Sequence, residues 1–299
     1  MAHQVRTHGL IHPNERVAVA VSGGCDSTVL LDVLVATAGA HQGRLEVISF
    51  DHGLRPESAQ EVRMVATQAA DFGLPFQAVA LEIEPGPALA ERARAARLRV
   101  LDALDVDRVA TGHHREDQSE TVLQRLTRGA GARGLASLQP RRGRYIRPLL
   151  EEDPATLRAY ATERGLRWVE DPSNPASERG HLRMWLDGLE QIRPGARRGL
   201  ARSARLLARD EALLQDLALA AHARCVRGGD LDLQRVRAEP RALSGRVVLR
   251  WLEDAGVAPT AERVDQLLDG REAPRGRVEL GGGWTAVLTD GIARLQPPG

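Results

Sequence analysis

One short segment near the N-terminus constrains this chain more than any other. The apolar run Val17–Val21 has the composition of a buried strand, and Thr28–Leu34 carries apolar residues at helical spacing. The turn between them, residues 22–27, reads SGGCDS. Strand, glycine turn and helix in this order place free backbone N–H groups at a helix N-terminus, which favours phosphate binding. An ordinary βα turn is the alternative interpretation.

Each residue type in this turn suits a phosphate site. Glycine lets the backbone approach a ligand closely, hydroxyl groups donate hydrogen bonds to phosphate oxygens, and an aspartate can hold Mg²⁺. Asp26 is therefore the predicted metal-binding residue, and Asp26, Ser27 and Thr28 are candidate helix caps. The predicted nucleotide-binding residues of the turn are Ser22, Gly23, Gly24, Cys25, Asp26 and Ser27.

The residue composition excludes several other chemistries. All 41 basic residues are arginine, so a Walker phosphate loop and a Schiff-base lysine are both excluded. Cys25 and Cys225 lie far apart, which excludes a disulfide framework or a four-cysteine metal site within the chain. The net charge is only +1, so any binding of nucleic acid must depend on local clusters of charge.

The length of 299 residues suits two domains of roughly 100–200 residues each. The chain has no 18-residue apolar run, and its first residues lack the apolar core of a signal peptide. We therefore expect a cytoplasmic protein that does not bind membranes.

Strand-like and helix-like segments alternate through the first half of the chain. This alternation predicts an α/β fold, with a parallel sheet and helices on both faces. After the first βα unit, the predicted strands are Arg44–Phe50, Pro75–Leu81, Asp107–Thr111 and a short Tyr145–Leu150. The predicted helices are Glu57–Phe72, Ala88–Leu104 and Glu116–Thr127. Because ligands bind beyond the carboxyl ends of parallel strands, we expect residues 22–27, 51–55 and 112–117 to line one pocket.

The pattern changes from about residue 175. The predicted helices beyond that point are Ala196–Arg224, Asp230–Val236, Ala242–Gly256 and Thr260–Leu268. Two strand-like runs follow, Arg277–Leu280 and Thr285–Leu288. We predict a catalytic domain over residues 1–175, a helical linker over 176–210, and a small substrate-binding domain over 211–299. That second domain is expected to be mostly helical, with a small β element at its end.

A second polar segment, residues 111–121, reads TGHHREDQSET. On a helix, Asp117 and Glu120 share a face because they are three residues apart. Acidic residues near a helix N-terminus also interact favourably with the helix dipole. This structural explanation involves no catalytic or binding role. His113 together with these carboxylates suggests a metal site, but no fourth ligand has an obvious spacing. The segment alone leaves these interpretations open.

Several motifs carry a family resemblance. Residues 22–27 resemble the SGGxDS loop of the N-type ATP pyrophosphatases, which cleave ATP between its α and β phosphates. Residues 113–121 resemble the HHxxDQxET signature of the tRNA(Ile)-lysidine synthetases. Further segments similar to that family are FDHGLRPES at 50–58, ARAAR at 93–97, RGAGARGL at 128–135 and WVEDPSN at 168–174. Leu98 replaces the tyrosine of the family's ARxxRY helix, and Gly180 replaces the asparagine of its RNxxR segment.

The resemblance implies an adenine nucleotide α-hydrolase-like fold and a specific reaction. ATP adenylates the oxygen of the cytosine at the first anticodon position of an isoleucine tRNA with a CAU anticodon, and free lysine then displaces AMP. Asp117 and Glu120 are expected to cage the lysine ammonium, and one of them or Glu116 to accept its proton. The expected catalytic residues are Asp26, Asp117, Glu120 and Arg179.

The loops beyond the other strands supply further nucleotide-binding candidates. These are Asp51, His52, Arg97 and Gly112. Arg94 and Arg97 suit the α-phosphate, where developing negative charge needs a fixed cation. A solvated helix face is the alternative interpretation for these two arginines. The expected co-substrate and metal are ATP and Mg²⁺.

Two stretches rich in arginine contain no acidic residue. Residues 125–149 hold seven arginines, and Arg198, Arg202, Arg205 and Arg209 form one stripe at helical spacing. Such a stripe is usually a solvated helix face, but with an RNA substrate it suits the phosphates. The predicted tRNA-binding residues are Arg128, Arg133, Arg202 and Arg205. The expected partners are that tRNA and free L-lysine; a homodimer is compatible with the sequence, which does not decide it.

Other functions make different demands on the sequence. A tRNA thiolation enzyme with the same loop would need paired cysteines, and a small-molecule amide ligase would not require the acid-free arginine stretches. A regulator without catalysis would be marked by loss of Asp26, Asp117 or Glu120, and all three are present. The chain ends after a segment similar to the family's first small domain, so we expect the short architecture.

Overall fold

The computed structural model describes residues 9–53, 58–83, 86, 89–170, 178–258, 260–269 and 275–298. The chain divides into two compact units, Met1–Ala208 and Arg209–Gly299. Among the described residues, no helix combines the length and the apolar character needed to cross a membrane.

The first unit alternates strands and helices. Its strands are β1 (Arg16–Ala20), β2 (Arg44–Asp51), β3 (Phe76–Ala80), β4 (Arg108–Ala110), β5 (Arg141–Arg142) and β6 (Tyr145–Ile146). Its helices are α1 (Cys25–Ala36), α2 (Ala38–His41), α3 (Ser58–Asp71), α4 (Leu89–Ala103), α5 (Arg115–Thr127), α6 (Ala132–Leu135), α7 (Pro154–Glu163) and α8 (Glu178–Ile192). A long helix, α9 (Ala196–Cys225), begins in this unit and ends in the second.

The sheet of the first unit has the strand order β3-β2-β1-β4-β6-β5. Neighbouring strands pair in parallel, except that β5 forms an antiparallel hairpin with β6. Strand β1 lies in the interior of the sheet, between β2 and β4. Its residues Val17, Ala18 and Val19 are fully buried, so both faces of the strand are covered.

Helices cover both faces of this sheet. On one face, Val17 and Val19 pack in a core with α1, α3 and α7. On the other face, Ala18 and Ile48 pack with α4 through buried residues such as Leu101. Burial of both faces matches the near-continuous apolar runs of β1 and β2, and it confirms the predicted fold class.

Two details of the first unit differ from the expectations. The last strand ends at Ile146 rather than Leu150, because Pro148 has no backbone N–H to extend the ladder. Helix α1 begins at Cys25 with Gly24 as its cap, so the candidate caps Asp26, Ser27 and Thr28 were wrong. Ser27 Oγ instead donates to the carbonyl of Gly24, within the turn itself.

The second unit combines helices with an antiparallel sheet. Its helices beyond α9 are α10 (Leu233–Ala238), α11 (Arg241–Asp254) and α12 (Ala261–Asp269). Its strands are β7 (Val226–Arg227), β8 (Asp230–Asp232), β9 (Arg275–Gly281), β10 (Trp284–Thr289) and β11 (Ile292–Gln296), in the order β7-β8-β11-β10-β9. These helices and the sheet enclose an apolar core that includes Val247, Trp251 and Leu267.

The helix predicted over Asp230–Val236 was partly wrong. Residues 230–232 form β8, which pairs with β7 across a turn made by Gly228 and Gly229. The helix begins only at Leu233, where the side chain of Asp232 accepts a hydrogen bond from the backbone N–H of Arg235. This cap stabilises the start of the helix after the strand.

Candidate active site

A cavity of about 650 Å³ opens at the carboxyl ends of the parallel strands. Residues from the turn after β1, from the loop after β2 and from the loop after β4 all lie on its wall. The predicted convergence of these three loops is therefore confirmed for the described residues. Residues 54–57, in the loop after β2, lie outside the described residues.

The turn after β1 is held by its own serines. Ser27 Oγ accepts a hydrogen bond from the backbone N–H of Ser22 at 3.1 Å and lies 3.2 Å from Ser22 Oγ. The turn is also tied to a distant segment, because the backbone N–H of Val169 donates to the carbonyl of Gly23 at 2.9 Å. These bonds leave the first N–H groups of α1 directed out of the helix end, as an anion site requires.

Two glycines are needed for this geometry. Gly23 has a φ of +85°, which a residue with a side chain adopts only with strain. Gly112, in the loop after β4, packs directly against the turn. A Cβ atom on Gly112 would lie 3.2 Å from the carbonyl carbon of Asp26 and from the backbone of Ser27. The backbones of the two loops therefore pack closely against one another at Gly112.

His114 links the turn to α5. Its Nδ1 accepts the backbone N–H of Glu116, so the other ring nitrogen, Nε2, carries the proton and faces Asp26 Oδ2 at 3.4 Å. Asp117 Oδ2 lies 3.6 Å from the same nitrogen and also accepts the backbone N–H of His114. Burial opposes protonation of His114, but the hydrogen bond to Asp26 and the charge of Asp117 outweigh it and raise its pKa.

The carboxylates of α5 face two arginines of α8. Arg183 Nε donates to Glu120 Oε1 at 2.6 Å, and Arg179 lies 3.9 Å from Asp117 and 3.8 Å from Glu120. Only 2% of the Glu120 side chain is exposed, and its Oε2 makes no hydrogen bond. Glu120 therefore keeps a buried acceptor available for one more donor.

The charges around Asp117 keep it ionised. Burial alone would raise the pKa of Asp117, but His114, His113 and the nearby Arg179 outweigh this effect and lower it. For His113 burial is the larger effect, and it lowers the pKa to about 4. His113 is therefore neutral near pH 7, with Nδ1 at 2.8 Å from the hydroxyl of Thr111.

One part of the cavity wall is apolar. Val21, Phe50, Leu98 and Leu101 line it on the side of β1, β2 and α4. Apolar side chains next to an anion site suit the flat base of a nucleotide whose phosphates bind the turn.

The remaining wall is strongly cationic. Its arginines are Arg94, Arg97, Arg142, Arg147, Arg179 and Arg183. Burial and the neighbouring arginines lower the pKa of Arg94 and of Arg97. Neither of these two side chains pairs with a carboxylate within hydrogen-bonding distance among the described residues. Such unneutralised guanidinium groups favour an anionic ligand.

Most predicted site residues lie on this wall, but several do not. Asp51 is engaged in its own loop, where its Oδ1 accepts hydrogen bonds from Ser58 Oγ and from the backbone N–H of Gly53. Gly23, Cys25 and Glu120 are not among the residues that line the cavity. The predicted tRNA-binding residues Arg128, Arg133, Arg202 and Arg205 also lie elsewhere. The roles assigned to all these residues stay predictions.

Some residues of the wall were not predicted as site residues. Arg142 and Arg147 belong to the acid-free stretch, but no periodicity marks them because they lie on a hairpin. Arg183 follows Arg179 at helical spacing, and this repetition was an available signal. Among the described residues, no cluster of three or more acidic, histidine or cysteine side chains forms a metal site, which argues against the histidine-containing centre.

Comparisons with known proteins agree with this geometry. The profile of the PP-loop domain, an ATP-binding family, matches residues 2–186, and that of the TilS substrate binding domain matches residues 231–294. The tRNA(Ile)-lysidine synthase of Xanthomonas campestris pv. campestris is 38% identical over 259 residues, covering 83% of this chain and 60% of the relative. That of Thermus thermophilus is 37% identical and covers 96% of this chain and 58% of the relative. The chain thus spans less than two thirds of the length of these relatives.

A solved structure shares the fold at low sequence identity. The U34-tRNA thiolase NcsA from Methanococcus maripaludis superposes with a TM-score of 0.58 at 20% identity, covering 69% of this chain and 78% of the thiolase. The parallel sheet, the serine-glycine turn at the end of β1 and the match over residues 2–186 lead to one conclusion: the chain belongs to the PP-loop family.

Proposed function

We propose that the protein ligates free lysine to the first anticodon cytidine of tRNA(Ile) with a CAU anticodon, consuming ATP. The proposal is carried by one observation: a PP-loop domain and a TilS substrate binding domain follow each other in one chain. Relatives with 37% and 38% identity bear the name tRNA(Ile)-lysidine synthase, which supports the same reaction here.

The proposed first step transfers adenylate from ATP to the oxygen of the cytosine ring. The β- and γ-phosphates bind the turn at the start of α1, where backbone N–H groups and serine hydroxyls meet them. Asp26, with 41% of its side chain exposed, is the carboxylate that would hold Mg²⁺. One carboxylate plus substrate phosphates is an ordinary magnesium environment, so the residues fit this ion. Mg²⁺ would neutralise the departing pyrophosphate.

The proposed second step attaches lysine. An amine of lysine forms a bond to the ring carbon, the carbon–oxygen bond to AMP breaks, and AMP leaves with the electron pair. Glu120 Oε2 and Asp117 would receive the lysine ammonium, because Glu120 retains an unused acceptor. A carboxylate within hydrogen-bonding reach would then take the proton that the amine must lose.

Cations of the cavity would assist departure of AMP. Arg94 and Arg97 come from α4 and carry no paired carboxylate within hydrogen-bonding distance among the described residues. A fixed positive charge at the α-phosphate stabilises the charge that develops as the nucleotide leaves. This role agrees with their lowered pKa values, since an anion would compensate their burial.

The tRNA would extend over surface arginines. Arg202 and Arg205 are exposed on α9, and Arg128 is exposed at the end of α5. Arg128 pairs with Glu178 at 2.8 Å, and Arg205 lies 3.5 Å from Glu151. Exposed pairs of this kind are weak, so phosphate groups can compete for both arginines.

A thiolation reaction is less well supported. Burial raises the pKa of both thiols, Cys25 and Cys225, which makes them poor nucleophiles. The two cysteines also belong to different units of the chain.

The decisive experiment measures the products of ATP with tRNA(Ile) bearing CAU, with and without lysine. Incorporation of labelled lysine that requires both ATP and that tRNA would support the proposal. Pyrophosphate release without lysine incorporation would support the adenylation step but would mean that lysine is not the nucleophile. Turnover that does not depend on tRNA would refute the proposed substrate.

A further inference from the structure

The hairpin of β5 and β6 presents two arginines to the cavity, Arg142 and Arg147. We call them the hairpin arginines. Arg147 Nη1 donates to the carbonyl of Gln139 at 2.9 Å, but its Nε is buried and makes no hydrogen bond. Among the described residues, no carboxylate pairs with either hairpin arginine. A buried donor without a partner requires an explanation, and on the wall of this cavity a bound anion would supply one.

A third arginine of the same hairpin behaves differently. Arg144 donates to the carbonyls of Asp102, Leu104 and Val106, at distances of 2.8, 2.7 and 2.6 Å. These bonds fix the hairpin to the end of α4. Arg144 therefore has a structural role, although its Nε, like that of Arg147, is buried without a partner. Arg142 and Arg147 differ from Arg144 because they line the cavity.

The hairpin arginines repel one another and their neighbours. Burial, then the charges of Arg142, Arg94 and Arg125, lower the pKa of Arg147 to about 10. Holding guanidinium groups together in a half-buried position opposes folding unless an anion compensates them. The site is therefore built for a negative ligand.

ATP alone does not account for the positive charge of the wall. Six arginines line the cavity. Among the described residues, three carboxylates oppose them, those of Asp26, Asp117 and Glu120, and His113 is neutral. A magnesium-bound triphosphate would neutralise only part of this excess. The remaining charge points to a second anion in the same cavity.

The position of the hairpin separates it from the phosphate-binding turn. In the sheet, β4 and β6 follow β1 in order, and β5 forms the edge. At about 4.8 Å between neighbouring strands, β6 lies roughly 10 Å from β1. Arg142 is exposed on the edge strand, where a long polyanion can reach it.

We propose that Arg142 and Arg147 form a second anion site, which binds an RNA phosphodiester adjoining the base that enters the cavity. This inference rests on the proposed function, since it requires RNA as the substrate. The same chemistry would also suit a phosphate of ATP, and the experiment must separate these two sources. A phosphodiester contact positions the strand without reading the base.

The test combines charge removal on both partners. The protein variants are Arg142→Gln and Arg147→Gln, and the RNA is tRNA(Ile) with a neutral methylphosphonate at either phosphate flanking the first anticodon nucleotide. For wild type, we expect one methylphosphonate position to raise the Kd for tRNA about 10-fold. Each variant should raise that Kd similarly with normal tRNA and should lose its sensitivity to the modified position. The KM for ATP should stay unchanged.

Arg99→Gln is the matched control, because Arg99 is exposed on α4 and does not line the cavity. It removes the same charge and should leave the Kd for tRNA unchanged. A raised KM for ATP with an unchanged Kd for tRNA would assign the hairpin arginines to the triphosphate and overturn the inference. Fully additive effects of variant and modified phosphate would also overturn it.

The experiment distinguishes this inference from the proposed function. If wild type itself neither binds nor modifies the tRNA, the proposed function fails before any variant is compared. If wild type reacts and the hairpin variants match it, only the second anion site is refuted. Arg142 is exposed, so Arg142→Gln remains informative even if Arg147→Gln fails to fold.

Discussion

The two ends of the cavity are built in different ways. At the loop end, formed by residues 22–27, the binding groups are backbone N–H groups and serine hydroxyls, and Asp26 is the one ionisable group besides the Cys25 thiol. At the charged end, formed by α5 and α8, the carboxylates of Asp117 and Glu120 face Arg179 and Arg183. The loop end comes from one contiguous stretch of sequence, whereas the charged end exists only where two helices pack together.

This difference predicts different sensitivities. The loop end depends on backbone geometry and should be damaged by added bulk or by loss of its metal-binding carboxylate. The charged end depends on balanced charges and should respond to removal of one charge and to pH. Five predictions test this comparison, from the largest expected effect to the smallest.

Removal of the loop carboxylate should have the largest effect. We expect Asp26→Ala to lower pyrophosphate release from ATP by about 10³-fold, since both a metal ligand and the partner of His114 are lost. The measurement is the steady-state rate at saturating tRNA. Asp105→Ala is the control, because Asp105 is fully exposed and its ion pair in the described part of the chain is a surface pair with Arg16. A reduction below tenfold would contradict the assignment of Asp26.

Removal of one carboxylate at the charged end should instead impair the use of lysine as a substrate. We expect Glu120→Ala to lower kcat/KM for lysine by about 10²-fold while pyrophosphate release without lysine continues. Glu120→Gln tests the charge with the shape retained, and exposed Glu163→Ala is the control. If Asp26→Ala and Glu120→Ala abolish AMP formation equally, the two ends do not divide the chemistry as proposed.

His113, which precedes α5 beside the charged end, should also make stability depend on pH. The pKa of His113 is about 4 in the folded protein and near 6.5 when unfolded, so the unfolded state binds the proton first. Stability from this group is complete above pH 6.5 and is lost as the pH falls towards 4. We expect the free energy of unfolding to drop by roughly 2 kcal/mol more in wild type than in His113→Asn between pH 6.5 and 4.5. Urea denaturation at a series of pH values measures it, and parallel curves would refute it.

Added bulk should damage the loop end. In Gly112→Ala the new Cβ meets the backbone of Asp26 and Ser27 at 3.2 Å, so the two loops must shift by a few tenths of an ångström. We expect affinity for ATP to fall about 10-fold, as measured by calorimetry. Gly188→Ala is the matched control, because the space around that glycine is open. Equal affinities of the two variants for ATP would mean that the loop end tolerates displacement.

The smallest effect should come from arginines outside the cavity. We expect Arg202→Ala to raise the Kd for tRNA about threefold at low salt and to reduce its salt dependence by about one phosphate contact. Exposed Arg63→Ala on α3 is the control. A change in the KM for ATP, or an identical effect of Arg63→Ala, would contradict a tRNA contact at Arg202.

The fold of the first unit could be predicted largely from the sequence. Apolar runs such as Val17–Val21 and helical periodicity predict strand and helix locally, and their alternation leaves few topologies. The strand at residues 230–232 was missed because its three residues are too short for any periodicity. Glycines at 228 and 229 were the available signal for a turn between two strands.

The sequence predicted many of the residues of the site, but it did not predict how their side chains are oriented. The shared face of Asp117 and Glu120 follows from helical spacing, and both carboxylates do face α8. Asp51 was chosen because its loop converges on the cavity, yet its carboxylate closes its own loop. Position after a strand fixes where a loop lies, but the hydrogen bonds of each side chain decide which way it faces.

The sequence by itself determined the strand, turn and helix around residues 22–27, because the hydrogen bonds of Ser22 and Ser27 that shape this turn lie within a few residues. Only the tertiary structure decided that His114 faces Asp26, that Arg183 pairs with Glu120, and that the hairpin arginines reach the same cavity. These pairings join segments far apart in the chain. They depend on strand order and helix packing, and short-range spacing in a sequence carries no information about either.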